Sequence, residues 1–126
     1  AYSPLGRGFL TGRYRTIDDF AENDWRRNNP RFQGANFQKN LDLVDKVGEL
    51  AASNGCTPAQ LALAWLLARG AHVIPIPGST RIERVEENAG ATRVTLSAED
   101  IRALDALAPT VAGERYPEGG MRAVNR

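Results

Sequence analysis

A segment around residue 80 carries the residue types that bind an anionic ligand. Arg84, Glu87 and Asn88 are spaced at i, i+3 and i+4, so on a helix they share one face. The Pro-Gly-Ser-Thr stretch at residues 77–80 directly precedes that helix. A helix N-terminus presents free backbone N–H groups and the positive end of the helix dipole, and the glycine lets the backbone approach a ligand closely. The spacing therefore predicts an anion site at the start of a helix over residues 81–89.

A second candidate site lies near the start of the chain, where residues 2–8 read Tyr-Ser-Pro-Leu-Gly-Arg-Gly. The two glycines free the main chain after a predicted strand end, and Arg7 and Arg13 supply positive charge. The glycine spacing matches neither the dinucleotide-binding fingerprint nor the phosphate-binding loop of nucleotide hydrolases. We therefore predict recognition of an anion mainly through backbone groups.

Alternating strands and helices are predicted to position these two segments. Residues 1–5 are typical of the end of a strand, and the β-branched run at residues 73–76 is typical of a strand in a covered parallel sheet. Residues 13–36 lack regular apolar spacing and predict a long loop. Apolar spacing and capping residues predict helices over residues 37–53, 59–68 and 81–89, with a last helix beginning after Ser97 and ending at Pro109.

The predicted helix over residues 81–89 has an apolar face as well as a polar one. Thr80 and Glu83 are spaced as a capping box at its start. The apolar residues, which we expect to be buried, are Ile82, Val85 and Ala89.

Composition argues against several classes of function. The 126 residues carry 16 basic and 15 acidic side chains and a formal net charge of +1, so no bulk field favours nucleic acid or an anionic membrane. Cys56 is the only cysteine, which excludes an internal disulfide and cysteine-rich metal sites. No apolar run reaches membrane-spanning length, and the first residues do not resemble a signal peptide. We expect a cytoplasmic protein.

The predicted α/β architecture is incomplete by itself. Two strands cannot form a covered sheet, and a full (β/α)8 barrel takes about 250 residues. The chain also opens at Ala1, without a methionine and inside a predicted strand. We therefore expect the C-terminal portion of a longer protein, whose apolar surfaces are covered by self-association or by pairing with the missing barrel half.

Taken together, the motifs of the chain resemble those of the aldo-keto reductases, in the branch that contains perakine reductase and plant auxin-induced-type proteins. The resemblance implies an α/β fold, the C-terminal part of a (β/α)8 TIM barrel with about the last two β/α units, extra helices and a tail. Residues 1–109 would form the barrel portion with its NADP(H)-binding segments, and residues 110–126 would form the C-terminal tail. The likeness covers nearly the whole chain and rests on residues 1–12, 29–32, 57–65, 74–81 and 113–118.

The resemblance also implies a binding role for each matched position. Tyr2 would stack on the nicotinamide of NADP(H), Arg13 would lie near the phosphates, and Glu87 and Asn88 would bind the adenine. Some family members carry a lysine where this chain has Gly78, so the positive charge for the 2′-phosphate falls on Arg84, with Arg81 as a second candidate. The residues matching the pyrophosphate segment are Ser3, Pro4, Leu5, Gly6, Arg7 and Gly8. Those matching the 2′-phosphate pocket are Gly78, Ser79, Thr80, Arg81 and Arg84.

The activity implied by the resemblance is NADPH-dependent reduction of an aldehyde or ketone. The family's catalytic Asp, Tyr, Lys and His lie in the first half of the barrel and have no counterpart here. The chain alone is therefore not expected to reduce a small-molecule carbonyl, and no catalytic residue or metal ligand is assigned. Two alternatives stay open: a non-catalytic nucleotide-binding or partner-binding module, and a truncated remnant. Trp25 fits two interpretations, a ring over a ligand or a ring that holds the loop.

Overall fold

The computed structural model describes residues 1–124 as packed helices joined by short turns. The α-helices are α1 (Gly34–Ser53), α2 (Pro58–Leu67), α3 (Ile82–Gly90), α4 (Ala98–Leu107) and α5 (Glu118–Met121). Turns of 3-10 helix precede α1 at Gly6–Thr11, Ile17–Asp19, Trp25–Asn28 and Pro30–Phe32, and two more lie between later helices at Ala91–Arg93 and Ala108–Thr110. Within residues 1–124, none of the helices combines the length and the hydropathy that a membrane-spanning segment needs.

The helices α1 and α2 begin and end where local sequence signals place them. The helix α1 ends at Ser53 with Asn54 as its C-cap, and Gly55 follows in the left-handed region with φ of +62°. The helix α2 begins with a capping box, in which the Thr57 hydroxyl accepts the N–H of Gln60 at 3.2 Å. The predicted helices over residues 37–53 and 59–68 are confirmed, although α1 begins earlier, at Gly34.

Two clusters of buried apolar side chains form the core. One cluster fixes the N-terminal turn onto α1 and consists of Phe9, Phe20, Phe32, Phe37, Leu41 and Val44. The other joins α1, α2 and α4 and consists of Leu43, Val47, Ala51, Leu61 and Leu104. Phe9, which directly follows the N-terminal candidate segment, therefore belongs to the core.

The two predicted strands do not form a sheet among residues 1–124. Ala1 lies beside the segment over residues 73–76: its nitrogen donates to the Ile74 carbonyl at 2.5 Å, and its carbonyl accepts the Ile76 N–H at 3.2 Å. This is the pattern of a parallel pair, but it extends over one residue of the first segment. Ile74 is 69% exposed and Ile76 is 61% exposed. The prediction of a covered strand is therefore wrong for the described chain, because nothing in it covers these side chains.

The helix α3 also differs from its prediction. It begins at Ile82 with Arg81 as the N-cap, and no side chain caps it, so the predicted capping box of Thr80 and Glu83 is absent. Its apolar face is turned outward, with Ile82 75% exposed and Val85 54% exposed, and Ala89 is exposed too. The prediction that this face is buried is wrong, because the half-buried face is the polar one.

Buried polar side chains of α1 and of the loop before it are hydrogen-bonded to the tail. Asn40, which is 4% exposed, donates to the Ala112 carbonyl at 2.9 Å and accepts the Ala112 N–H at 2.8 Å. Asn29, which is 1% exposed, donates to the Arg115 carbonyl at 3.1 Å. Because buried polar groups are stable only when they are hydrogen-bonded, these contacts order the tail. Positions 125 and 126 of the predicted tail lie outside the described residues.

A charged side chain strengthens this docking. The Arg31 guanidinium donates from Nε to the Gly113 carbonyl at 3.1 Å. Burial, together with the charges of Arg115 and Arg7, lowers the pKa of Arg31 below its ordinary value. Gly113 itself has φ of +87°, and a Cβ there would lie 2.9 Å from the Pro30 carbonyl oxygen, so only glycine fits this close approach.

Candidate functional site

One cavity of about 520 Å³ brings the two predicted segments together. Its volume lies in the range of small-molecule binding sites. The predicted residues that line it are Tyr2, Ser3, Pro4, Leu5, Arg7, Gly8, Arg13, Gly78, Ser79, Arg84, Glu87 and Asn88. Gly6, Thr80 and Arg81 are not among the lining residues.

The first wall of the cavity is the glycine turn, which we define as residues 3–12. Ser3 and Arg7 adopt left-handed φ values of +50° and +62°, which non-glycine residues rarely do. Gly8 follows at φ of +90°. Backbone bonds hold this path: the Ser3 carbonyl accepts the Gly6 N–H at 3.0 Å, and the Leu5 carbonyl accepts the Gly8 N–H at 3.0 Å. Such strained backbone concentrates at ligand sites, which supports a binding role for the turn.

Arg26 fixes the glycine turn from the adjoining loop. Its Nη1 donates to the Arg7 carbonyl at 3.0 Å and to the Tyr14 hydroxyl at 3.1 Å. Its Nη2 lies 2.6 Å from Asp24 Oδ2, and this hydrogen bond holds the pKa of the Asp24 carboxyl below its ordinary value. Because both side chains are largely covered, the pair is screened less than a surface ion pair and can hold the turn in place.

Arg7 connects the glycine turn to Trp25 and to the tail. Its Nη1 donates to the Arg115 carbonyl at 2.9 Å, and its guanidinium carbon lies 5.3 Å from the Trp25 ring centre and 4.7 Å from that of Tyr116. Its Nη2 is buried without a partner among residues 1–124. Trp25 lines the cavity, and its ring also packs against Arg7 of the glycine turn, so its position is compatible with both interpretations.

The second wall is the polar face of α3. Arg84, Glu87 and Asn88 are half-buried and line the cavity, as their spacing predicts. No carboxylate of residues 1–124 lies within salt-bridge distance of Arg84. Its guanidinium is therefore a positive group that a ligand anion can pair with.

Arg81 and Thr80 lie apart from this wall for a local reason. The Ser79 hydroxyl accepts the Arg81 N–H at 3.1 Å and donates to the Arg81 carbonyl at 3.2 Å, which turns the chain before α3 begins. The Arg81 side chain lies 3.4 Å from the Glu83 carboxylate. The expectation that Arg81 shares the charge of the site with Arg84 is not supported by this geometry.

Sequence reasoning missed several lining residues. They come from four separate stretches of the sequence: Thr11 and Tyr14, then Arg26, Ala59 and Pro77. The signal that could have found some of them is the concentration of arginines and aromatic residues between positions 7 and 31. Arg26 is the least obvious of them, because two adjacent arginines in a loop ordinarily point into solvent.

We predict that the substitution Gly8→Ala lowers the free energy of unfolding by about 1–3 kcal/mol, since φ of +90° strains any other residue. The added Cβ would lie 3.0 Å from the Tyr14 ring and 3.5 Å from Arg26 Nη1, so the groups that hold the turn would have to move. Urea denaturation followed by circular dichroism measures the change. The matched control is Gly48→Ala in α1, which meets no atom within 4 Å and should raise stability by up to about 1 kcal/mol. A Gly8→Ala protein as stable as the original would contradict this description of the turn.

The sequence of most of the chain matches a known family. Residues 1–109 fit the profile of the aldo/keto reductase family. The chain belongs to this family. The expectation from the motifs is thereby confirmed.

Several curated members of the aldo/keto reductase family are similar over almost the whole chain. Aldo-keto reductase yakc of Schizosaccharomyces pombe, whose name specifies NADP(+), is 51% identical over 120 residues, covering 94% of this chain and 35% of the relative. Aldo-keto reductase str7 of Strobilurus tenacellus is 44% identical, covering 95% of this chain and 36% of the relative. Probable aldo-keto reductase 1 of Glycine max is 43% identical, covering 94% and 34%. The chain thus spans about a third of the length of these relatives.

A solved structure of the family supports the fold. The glycerol dehydrogenase AKR11B4 from Gluconobacter oxydans superimposes with a TM-score of 0.76 at 29% identity, covering 91% of this chain and 35% of that protein. The chain is therefore similar to a partial piece of the family's TIM barrel. Its assignment to the last two β/α units stays a prediction, because no strand is present among residues 1–124.

Proposed function

We propose that the cavity binds NADP(H) and that the chain contributes the cofactor-binding part of an NADPH-dependent reductase of aldehydes or ketones. The observation that carries this proposal is the meeting of the glycine turn and the polar face of α3 around one cavity. These segments are separated by about seventy residues of sequence, and each independently has the character of an anion site. The name of the relative from Schizosaccharomyces pombe, which specifies NADP(+), supports the choice of ligand.

The residues present fit the charged and polar groups of this cofactor. The glycine turn offers backbone groups in a strained path for the pyrophosphate, and Arg13 lies at the same wall. Arg84, without an acidic partner in the described chain, suits the 2′-phosphate, and Glu87 and Asn88 offer hydrogen-bonding groups for the adenine. When bound, the cofactor supplies the hydride for carbonyl reduction.

In this function the chain binds the cofactor, and residues outside it carry out the proton transfer. The chain's own groups bind and orient the cofactor, with Tyr2 at the cavity wall as the candidate that stacks on the nicotinamide. The family's catalytic tetrad has no match in the sequence, so we assign to this chain no proton donor for the carbonyl oxygen. We therefore expect the chain to bind NADPH without turning over a small aldehyde or ketone.

A titration with NADPH tests the proposal. Trp25 lines the cavity and Trp65 does not, because the Trp65 indole donates to Asp105 at 2.8 Å on the side of α4. NADPH in the cavity should therefore quench tryptophan emission and gain emission by energy transfer. Energy transfer acts over distances comparable to the size of this chain, so both tryptophans should contribute, and the signal should fall more in Trp25→Phe than in Trp65→Phe. A folded chain that shows no saturable change with NADPH would refute the proposal.

We further propose that the chain associates through the apolar surface that the described residues leave uncovered. Ile74, Ile76, Ile82 and Val85 are all more than half exposed, and a surface of this kind is typical of an interface. The expected partners are a second copy or the remaining part of the barrel. Sedimentation at increasing concentration should reveal self-association that Ile82→Asp weakens. A chain that stays monomeric at every concentration would contradict self-association.

A further inference from the structure

One side chain bonds two helices that meet at the cavity. The Gln60 amide oxygen accepts the Thr57 N–H at 3.1 Å, which completes the capping box at the start of α2. The Gln60 amide nitrogen donates to the Glu87 carbonyl in α3 at 2.9 Å. A single amide therefore satisfies a donor at the beginning of one helix and an acceptor near the end of the next.

The Glu87 carbonyl needs a partner from outside its own helix. It is one of the last four carbonyls of α3, which have no regular partner within the helix. The next N–H in line, that of Ala91, bonds to the carbonyls of Asn88 and Ala89 instead. Gln60 supplies a donor to this carbonyl from outside the helix, and its loss would remove that hydrogen bond between α2 and α3.

A close approach between the two helices makes this bond sensitive to position. Gly90 is buried at the end of α3, and a Cβ there would lie 2.6 Å from Gln60 Nε2. The amide thus occupies the space that any other residue at this position would fill. Ala59, the neighbour of Gln60, lines the cavity together with Glu87. The contact therefore lies next to residues of the cavity wall on both helices.

We propose that Gln60 is a positioning residue for the adenosine end of the cofactor site. Its bond to the Glu87 carbonyl sets the height and rotation of α3 relative to α2, and so holds Arg84 and Asn88 toward the cavity. This inference rests on the proposed function, because the ligand it serves is NADP(H). It adds a residue that touches no ligand to the groups that determine binding of the 2′-phosphate and adenine.

The substitution Gln60→Glu separates the two bonds of this side chain. A carboxylate still accepts the Thr57 N–H, so the capping box is kept, but it has no proton to donate to the Glu87 carbonyl. We expect affinity for 2′,5′-ADP, which carries only the adenosine end, to fall by about tenfold. Affinity for reduced nicotinamide mononucleotide, which carries only the other end, should change less than about twofold. Gln60→Met, which is uncharged, should give the same pattern and so exclude simple charge repulsion.

The control is Thr57→Ala, which removes the capping hydroxyl and leaves the bond to Glu87. It should lower the melting temperature without changing the ratio of affinities for the two half-ligands. A merely structural role for Gln60 would make Gln60→Glu resemble this control. Equal binding of 2′,5′-ADP by the original chain and Gln60→Glu would overturn the inference.

Amide hydrogen exchange gives a readout that needs no ligand. In Gln60→Glu the amides of α3 should exchange about tenfold faster, whereas those of α1 keep their rates. If the original chain binds no nucleotide but α3 still loses protection, the proposed function fails and the positioning contact stands. If nucleotide binds and α3 keeps its protection, the positioning contact fails and the proposed function stands.

Discussion

Replacing Arg84 by alanine is expected to weaken NADPH binding by about 10- to 100-fold, which is the range for a lost charge-assisted hydrogen bond. Arg84 lines the cavity, and no carboxylate of residues 1–124 pairs with it, so its charge is free to meet the 2′-phosphate. NADH lacks that phosphate, so its affinity should change less than about threefold. Titration of both nucleotides against the original and substituted chains measures the two ratios.

The matched control is Arg81→Ala, which removes the same type of side chain three residues earlier. Arg81 lies outside the cavity and beside Glu83, so its loss should leave the NADPH affinity within about twofold of the original. Equal losses from Arg81→Ala and Arg84→Ala would show a general effect of positive charge. A larger loss from Arg81→Ala would contradict the assignment of the 2′-phosphate to Arg84.

Replacing Phe32 by alanine should destabilise the chain by about 3–5 kcal/mol, the usual cost of deleting a buried phenylalanine ring. Phe32 is 1% exposed, and its ring centre lies 5.0 Å from that of Phe9 and 5.4 Å from that of Phe20. Single domains unfold with only about 5–15 kcal/mol, so this loss takes a large share of the total. Urea denaturation at a fixed protein concentration measures it.

The same substitution should also weaken the candidate site, because Phe9 belongs to the glycine turn and packs on Phe32. The control Phe32→Leu keeps most of the apolar volume and should cost less than half as much. A Phe32→Ala chain with an unchanged denaturation midpoint would show that the aromatic cluster does not hold the turn.

The helices that the sequence predicts correctly are those whose ends depend on local chemistry. Thr57, Pro58 and Gln60 specify the start of α2 through groups at most three residues apart. Ser97 and Asp100 form a capping box for α4 in the same way, with the Ser97 hydroxyl accepting the Asp100 N–H at 3.1 Å. Such signals act within one turn of helix and need no tertiary contact to be recognised.

The incorrect predictions concern the burial of apolar side chains, which depends on whether other elements cover them. The run over residues 73–76 has the composition of a buried strand, yet Ile74 and Ile76 are exposed because a strand needs neighbours on both sides. The predicted burial of the apolar face of α3 is wrong for the same reason, and Ile82 is exposed. Apolar periodicity reports which face can be buried, and only the complete set of packed elements decides whether it is.

The sequence predicts the anion-binding residues of the candidate site. It does not predict the residues that hold the glycine turn in place. Arg84 and Gly8 belong to motifs whose spacing has a direct physical meaning. Arg26 and Tyr14 reach the cavity only because the loop folds back onto the glycine turn, through a bond of 3.0 Å to the Arg7 carbonyl. Arg81 is the opposite case: its place in the motif predicts that it lines the site, but the turn at Ser79 places it outside the cavity.

The most direct test is to map NADP⁺ onto the labelled chain by amide chemical shifts. Binding in the proposed cavity should move the resonances of two distant stretches together, residues 3–14 and residues 78–88, while those of α4 stay unchanged. Saturation at one common concentration would show that both walls contact the same ligand. Shifts confined to one stretch, or spread over α4 and the tail instead, would contradict a single NADP(H) site formed by the glycine turn and α3.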